Sequence, residues 1–100
     1  IPYNAGIAGW AAQHREPVIA NNARADPRFS SRVDETFNFK TYSMVCVPLI
    51  ARDKVLGVIE VLNKSSGRDF AEADQDLLSL LAVIAAIALD DLARAPEQSP

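Results

Sequence analysis

The chain has 100 residues, a net charge of −3 and 49% apolar side chains, enough to fold as one small domain but not to separate into two. Charges of both signs are scattered, so there is no basic footprint for nucleic acid or for an anionic membrane. A single cysteine, Cys46, excludes an internal disulfide, and the longest apolar run, Leu80 to Leu89, is half the length of a membrane span. The expectation is a cytoplasmic domain spanning 1–95, with 96–100 as a tail or linker to an adjacent module.

Ile7, Trp10, Ala11 and His14 recur at helical spacing behind Asn4 or Gly6 as a cap, and Glu16-Pro17 ends that helix. Val18-Ile19-Ala20 suffices for a short strand. In the polar stretch from Asn21 to Tyr42, Asp26-Pro27 reads as an N-cap followed by proline at the first helical position, opening one turn through Phe29. Ser31 and Asp34 have capping-box spacing for a second short helix holding Val33, Phe37 and Phe39, with Asn38 suited to end it in the left-handed conformation.

Ser43–Ala51 and Val55–Asn63 are β-branched runs joined by Arg52-Asp53-Lys54, the clearest hairpin in the chain. Pro48 predicts a missing ladder bond or a bulge, and Gly57 a close backbone approach. After the Ser65-Ser66-Gly67 loop, a helix runs from Ala71 to about Ala95, with Glu72, Asp74 and Asp76 complementing its dipole. The spacing predicts that Leu77, Leu81, Ile84, Ala88 and Leu92 lie on the sheet. The opposite face carries Leu80, Val83 and Ile87, which then need a second partner surface, either another copy in a homodimer or a segment of the protein outside these residues.

Taken in order, Gly6-Ile7-Ala8-Gly9-Trp10, Glu16-Pro17-Val18-Ile19, Asp26-Pro27-Arg28-Phe29, Thr41 to Leu49 and Val55 to Lys64 resemble a GAF domain. The family signature of Asn-Lys, then Phe, then Asp-Glu is matched by Asn63-Lys64, Phe70 and Asp74-Gln75, with glutamine replacing the last glutamate. The resemblance implies an α+β, profilin-like fold, an antiparallel sheet flanked by helices. It further implies a domain truncated at its N-terminus, lacking the early strands and the leading helix. Lys64 and Asp74 would pair to brace the last strand against the final helix.

The resemblance also implies a pocket between one sheet face and the Asn21–Tyr42 segment. Its candidate ligand-binding residues are Asn22, Asp26, Arg28, Phe29, Thr36, Phe39, Thr41 and Ser43, with a cyclic nucleotide or another small effector as ligand. Capping and packing account for these residues as well. His14 reads as an exposed or helix-capping histidine and Cys46 as a buried small hydrophobe. No catalytic constellation and no metal cluster stand out, and one cysteine cannot complete the sulfoxide-reducing cycle of some relatives. The implied role is a small-molecule-sensing regulatory domain of a signal-transduction protein, two-component systems included. It would be fused to a kinase, cyclase, phosphodiesterase or transcription activator. The competing reading is a ligand-free dimerisation scaffold.

Overall fold

The computed structural model describes residues 6–38, 40–64 and 66–96, apart from the side chains of Val33, Asp34 and Phe37. Helix α1 (Gly6–His14) stops where Arg15 turns left-handed at φ 58, and Glu16 N–H closes the end on the Ala11 carbonyl at 3.2 Å. Strand β1 (Val18–Ala20) follows, then one 3₁₀ turn at Ala23–Ala25 and the short helix α2 (Arg32–Phe37). Asn38 has φ 51, the left-handed conformation expected at the end of α2. Phe39, expected in that helix, lies outside the described residues.

The Asp26-Pro27 expectation is corrected. Helical geometry precedes Asp26, and Asp26 to Phe29 form a turn in which Phe29 N–H donates to the Asp26 carbonyl at 3.0 Å. The Asp26 carboxylate accepts from Arg28 N–H at 2.9 Å, so it stabilises a turn instead of a helix start.

Strands β2 (Met44–Ala51) and β3 (Lys54–Leu62) form the expected antiparallel hairpin. Its two-residue turn, Arg52-Asp53, has both φ values positive, at 52 and 63, as hairpin twist requires. Among the described residues the sheet has three strands in the order β1-β2-β3. Pairing with β1 ends at Val18 opposite Cys46, so Pro48 has a ladder neighbour on one side only, and the register shifts at Leu49/Ile50 beside it. Gly57 does not mark a close approach: an added Cβ would sit 3.7 Å from Leu49 Cδ1, an ordinary contact.

Alternation along β2 sends Met44 and Cys46 to one sheet face and Val45, Val47 and Leu49 to the other. The first face packs on Ile7 and Ala11 of α1, with Trp10, Phe29, Val58 and Leu62 around them. The second packs on helix α3 (Glu72–Arg94) through Leu78, Ala82, Ala85 and Ala86, with Phe70 filling the end of the layer.

The predicted sheet-facing stripe of α3 is therefore corrected. Leu77, Leu81, Ile84 and Leu92 are 59%, 46%, 59% and 74% exposed, and Ala88 is exposed too, whereas Ala82 and Ala86 are buried. Small residues win because they let the helix axis approach the branched side chains of β2, so the bulky residues are turned outward. Leu80, Val83 and Ile87 are also exposed, at 61%, 57% and 57%.

Candidate functional site

The α1 face of the sheet gathers most of the polar chemistry. Arg28 grips Asp26 with two bonds, Nε to Oδ1 at 2.9 Å and Nη2 to Oδ2 at 2.6 Å. Its guanidinium also lies over the Trp10 ring, 4.6 Å from the centroid, and Trp10 stacks on His14 at 4.0 Å. His14 is exposed, and its Nδ1 lies 3.0 Å from the Trp10 carbonyl at the end of α1. The Arg28 bonds hold the Asp26 carboxyl below its ordinary value.

Beneath this column lie Cys46 and Glu60, directly opposite each other on β2 and β3. Burial pushes the Cys46 thiol up to about 12; nearby Glu60 adds to the shift and Arg28 opposes it. The thiol therefore stays protonated at neutral pH and behaves as a packing group. Glu60 shares its face with Val58 and Leu62. The residue as a whole stays exposed, yet its neighbours strip enough water from the carboxyl to raise it above its ordinary value. No donor among the described residues hydrogen-bonds that carboxylate.

The candidate residues separate into groups. Asp26, Arg28 and Phe29 form the turn beside Trp10, with the Arg24 guanidinium 5.6 Å over the Phe29 ring. Thr41 and Ser43 are buried at the entrance to β2. Asn22 is exposed at the start of the 3₁₀ turn and makes no side-chain cap, and Thr36 is exposed with its hydroxyl donating to the Arg32 carbonyl at 2.7 Å. Phe39 lies outside the described residues. Trp10 and Glu60 belong to the site but were not among the candidates. Glu60 had a signal, a lone carboxylate interrupting an apolar alternation.

Two asparagines fasten the segment over this face. Asn21 Nδ2 donates to the Phe70 carbonyl at 3.0 Å, and Phe70 N–H donates to Asn21 Oδ1 at 2.7 Å. Asn63 Oδ1 accepts from Tyr42 and Ser43 N–H at 2.7 and 3.2 Å, while its Nδ2 donates to the Lys40 carbonyl at 2.9 Å. Both anchors adjoin the start of α3. Phe70 immediately precedes Ala71, the N-cap residue, and Lys64, next to Asn63, bonds Asp74 in the first turn at 2.8 Å.

Asp74 lies below its ordinary value because its carboxylate accepts the Ala71 N–H and, secondarily, the Lys64 ammonium. A carboxyl depressed by folding stabilises the fold above its unfolded value of about 3.9, and the gain disappears as pH falls through the lower folded value. Asp74→Asn is therefore expected to reduce stability at neutral pH and to match the parent below the folded pKa. Thermal melts from pH 7 to pH 2 read this as a flattened acid limb. A constant offset across the series would contradict the bonding described.

A separate groove of about 220 Å³ lies on the opposite face, lined by Arg15, Pro17, Pro48, Ile50, Ala82 and Val83 among others. It is mostly apolar and remote from the Arg28–Glu60 chemistry. Among the described residues no cluster could hold a metal ion, and no helix is long and apolar enough to cross a membrane.

The family model for the GAF domain matches residues 1–89. The chain belongs to the GAF family. It is 36% identical over 93 residues to the dual 3′,5′-cyclic-AMP and -GMP phosphodiesterase 11A of Takifugu rubripes, covering 91% of this chain and 10% of that protein. It is also 36% identical over 84 residues to the probable 3′,5′-cyclic phosphodiesterase pde-5 of Caenorhabditis elegans, covering 84% of this chain and 11% of that protein. The solved GAF domain of a phosphoenolpyruvate-protein phosphotransferase from Coxiella burnetii superposes with a TM-score of 0.78 at 20% identity, covering 94% of this chain and 55% of that one. The chain thus spans about a tenth of these curated relatives and about half of the solved domain. Its place among GAF domains of signalling proteins agrees with the regulatory, sensory role that the sequence implies.

Proposed function

We propose that this GAF domain senses a small molecule on the α1 face of its sheet, with a cyclic nucleotide as the first candidate. The single observation that carries this reading is Glu60: a carboxylate stripped of part of its water, without a hydrogen-bond donor among the described residues, on the face flanked by Trp10 and Arg28. It suits the N–H edge of a base, while Arg28, on giving up one of its two bonds to Asp26, would supply a cation for a phosphate. The phosphodiesterase names of the relatives favour a cyclic nucleotide over other heterocycles.

The chain itself is proposed to carry no catalysis, to act in the cytoplasm, and to report ligand state to a fused output domain such as a phosphodiesterase, cyclase, kinase or transcription activator. Binding would select one arrangement of the Asn21–Tyr42 segment, and the asparagine anchors would pass that choice to α3.

A thermal-shift titration with cyclic GMP and cyclic AMP tests this. At about one hundred times the dissociation constant, ligand adds roughly 2.7 kcal/mol and raises Tm by several degrees. Glu60→Gln and Arg28→Ala are each expected to weaken binding about tenfold or more. No shift with either nucleotide at millimolar concentration would reject the cyclic-nucleotide reading.

A second reading, a homodimer held through α3, draws on the outward row of Leu77, Leu80, Leu81, Ile84 and Ile87. The two readings are compatible in one molecule. Leu80→Asp or Ile87→Asp would leave a monomer if this row is the contact.

A further inference from the structure

We propose that Asp26 holds the place of the ligand's anionic group, and that binding exchanges its Oδ2 bond to Arg28 Nη2 for a phosphate oxygen. The inference rests on the small-molecule reading above and adds what occupies the arginine before the ligand arrives.

The two oxygens of the Asp26 carboxylate have different work. Oδ1 accepts from the Arg28 N–H and from Arg28 Nε, each at 2.9 Å. Among the described residues Oδ2 accepts only from Nη2, at 2.6 Å. The turn does not depend on that last bond. Asp26 N–H donates to the Ala23 carbonyl and Phe29 N–H to the Asp26 carbonyl, each at 3.0 Å, while Oδ1 closes the loop over Pro27. The Oδ2–Nη2 contact can therefore open while residues 23–29 keep their backbone.

Arg28 is placed for such an exchange. Its side chain is 30% exposed against 14% for Asp26, so the guanidinium is the more open half of the pair. Trp10 lies across one face of it, 4.6 Å from ring centroid to guanidinium carbon, and keeps its plane oriented when one bond opens.

Donors are not what the site lacks. A guanidinium has five N–H groups, and Asp26 takes two of them. What the empty site lacks is net charge. The Arg28 bonds hold the Asp26 carboxyl below its ordinary value, so it is ionised at neutral pH and the pair is neutral as a whole. A phosphate on the remaining donors meets that negative charge at close range, and swinging Oδ2 out to water relieves the repulsion. The pair thus sets a threshold: an anion must outcompete a carboxylate before it gains from Arg28, and an uncharged ligand leaves the pair closed.

Titration of the whole chain with inorganic phosphate and, separately, with cyclic GMP tests the exchange, followed through the Arg28 Nε–H signal by nuclear magnetic resonance at pH 7. Asp26→Asn keeps the Oδ1 acceptor for the turn and removes the charge. It is expected to tighten both anions about three- to tenfold. Asp26→Ser also offers an oxygen to the Arg28 N–H and should do the same, which separates the effect from any fold defect peculiar to one variant. Asp53→Asn is the control for net charge. It removes the same unit from the exposed Arg15–Asp53 pair, at a φ of 63 that asparagine tolerates, and should change neither affinity. Unchanged or weaker affinity for both anions in the Asp26 variants, no binding by any variant, or an equal gain from Asp53→Asn would overturn the proposal. Tighter phosphate binding with no cyclic GMP binding in any variant would support the exchange and reject the nucleotide. Cyclic GMP bound equally by the parent and the Asp26 variants would reject the exchange and leave the nucleotide reading standing.

Discussion

Replacing Phe70 with alanine is expected to cost about 3–5 kcal/mol, a large part of the stability of a domain this size. Phe70 is 6% exposed and closes the α3 layer against Val45, Val47, Leu49, Ala82 and Ala86. Its own backbone cannot move in to fill the space, because Asn21 bonds both its N–H and its carbonyl. A site that cannot collapse leaves the larger cavity, which places the cost toward the upper end of that range. Urea unfolding monitored by far-ultraviolet circular dichroism measures this as a lower midpoint, and Phe70→Leu should recover a substantial share. A loss below about 1 kcal/mol for the alanine variant would show that the ring is not part of the core.

Asn63→Ala is expected to follow at about 2–4 kcal/mol, through two separable causes. Asn63 has φ 52, where alanine pays for its Cβ, and its side chain makes three hydrogen bonds to the strand entrance at Lys40, Tyr42 and Ser43. Asn63→Gly keeps the backbone conformation and loses only the side-chain bonds, so it should be about 1 kcal/mol milder. Denaturation midpoints for the pair separate the contributions. Equal losses in both variants would assign the whole effect to the bonds, and an unaffected glycine variant would assign it to the backbone.

The hairpin and the helix termini were legible because local rules govern them. The β-branched runs 43–51 and 55–63 could pair through the short Arg52-Asp53-Lys54 connection, of which the structure takes Lys54 into β3, and Asn38 could end α2 because asparagine tolerates the left-handed region. The GAF resemblance followed from the order of several such pieces. The facing of α3 was not legible. Its middle turns are apolar on all sides, so periodicity alone offers several stripes, and bulk suggested the wrong one. Close approach to a branched sheet decided in favour of Ala82 and Ala86, a tertiary effect without a local trace.

The site divides in the same way. Asp26, Arg28 and Phe29 stood out as polar and aromatic ligand candidates, but on an expected helix start; the structure sets them in a turn beside Trp10. The Asn21 clamp on Phe70 spans 49 residues, so nothing near Asn21 announces it. The structure instead gives Asn22, its neighbour, an exposed position. Glu60 was readable as a carboxylate on an inward strand position, but an apolar strand with one charge first suggests an exposed edge.

If the α1 face binds the ligand, that face and the start of α3 respond as one unit, joined through Asn21 and Asn63. Amide hydrogen exchange, with and without a saturating cyclic nucleotide that raises Tm, tests it most directly. Slower exchange is expected at Arg28 and Phe29 and also at Asp74 and Gln75, whose amides bond the Ala71 carbonyl at the helix start. Protection confined to residues 26–29, with the first turn of α3 unchanged, would contradict it.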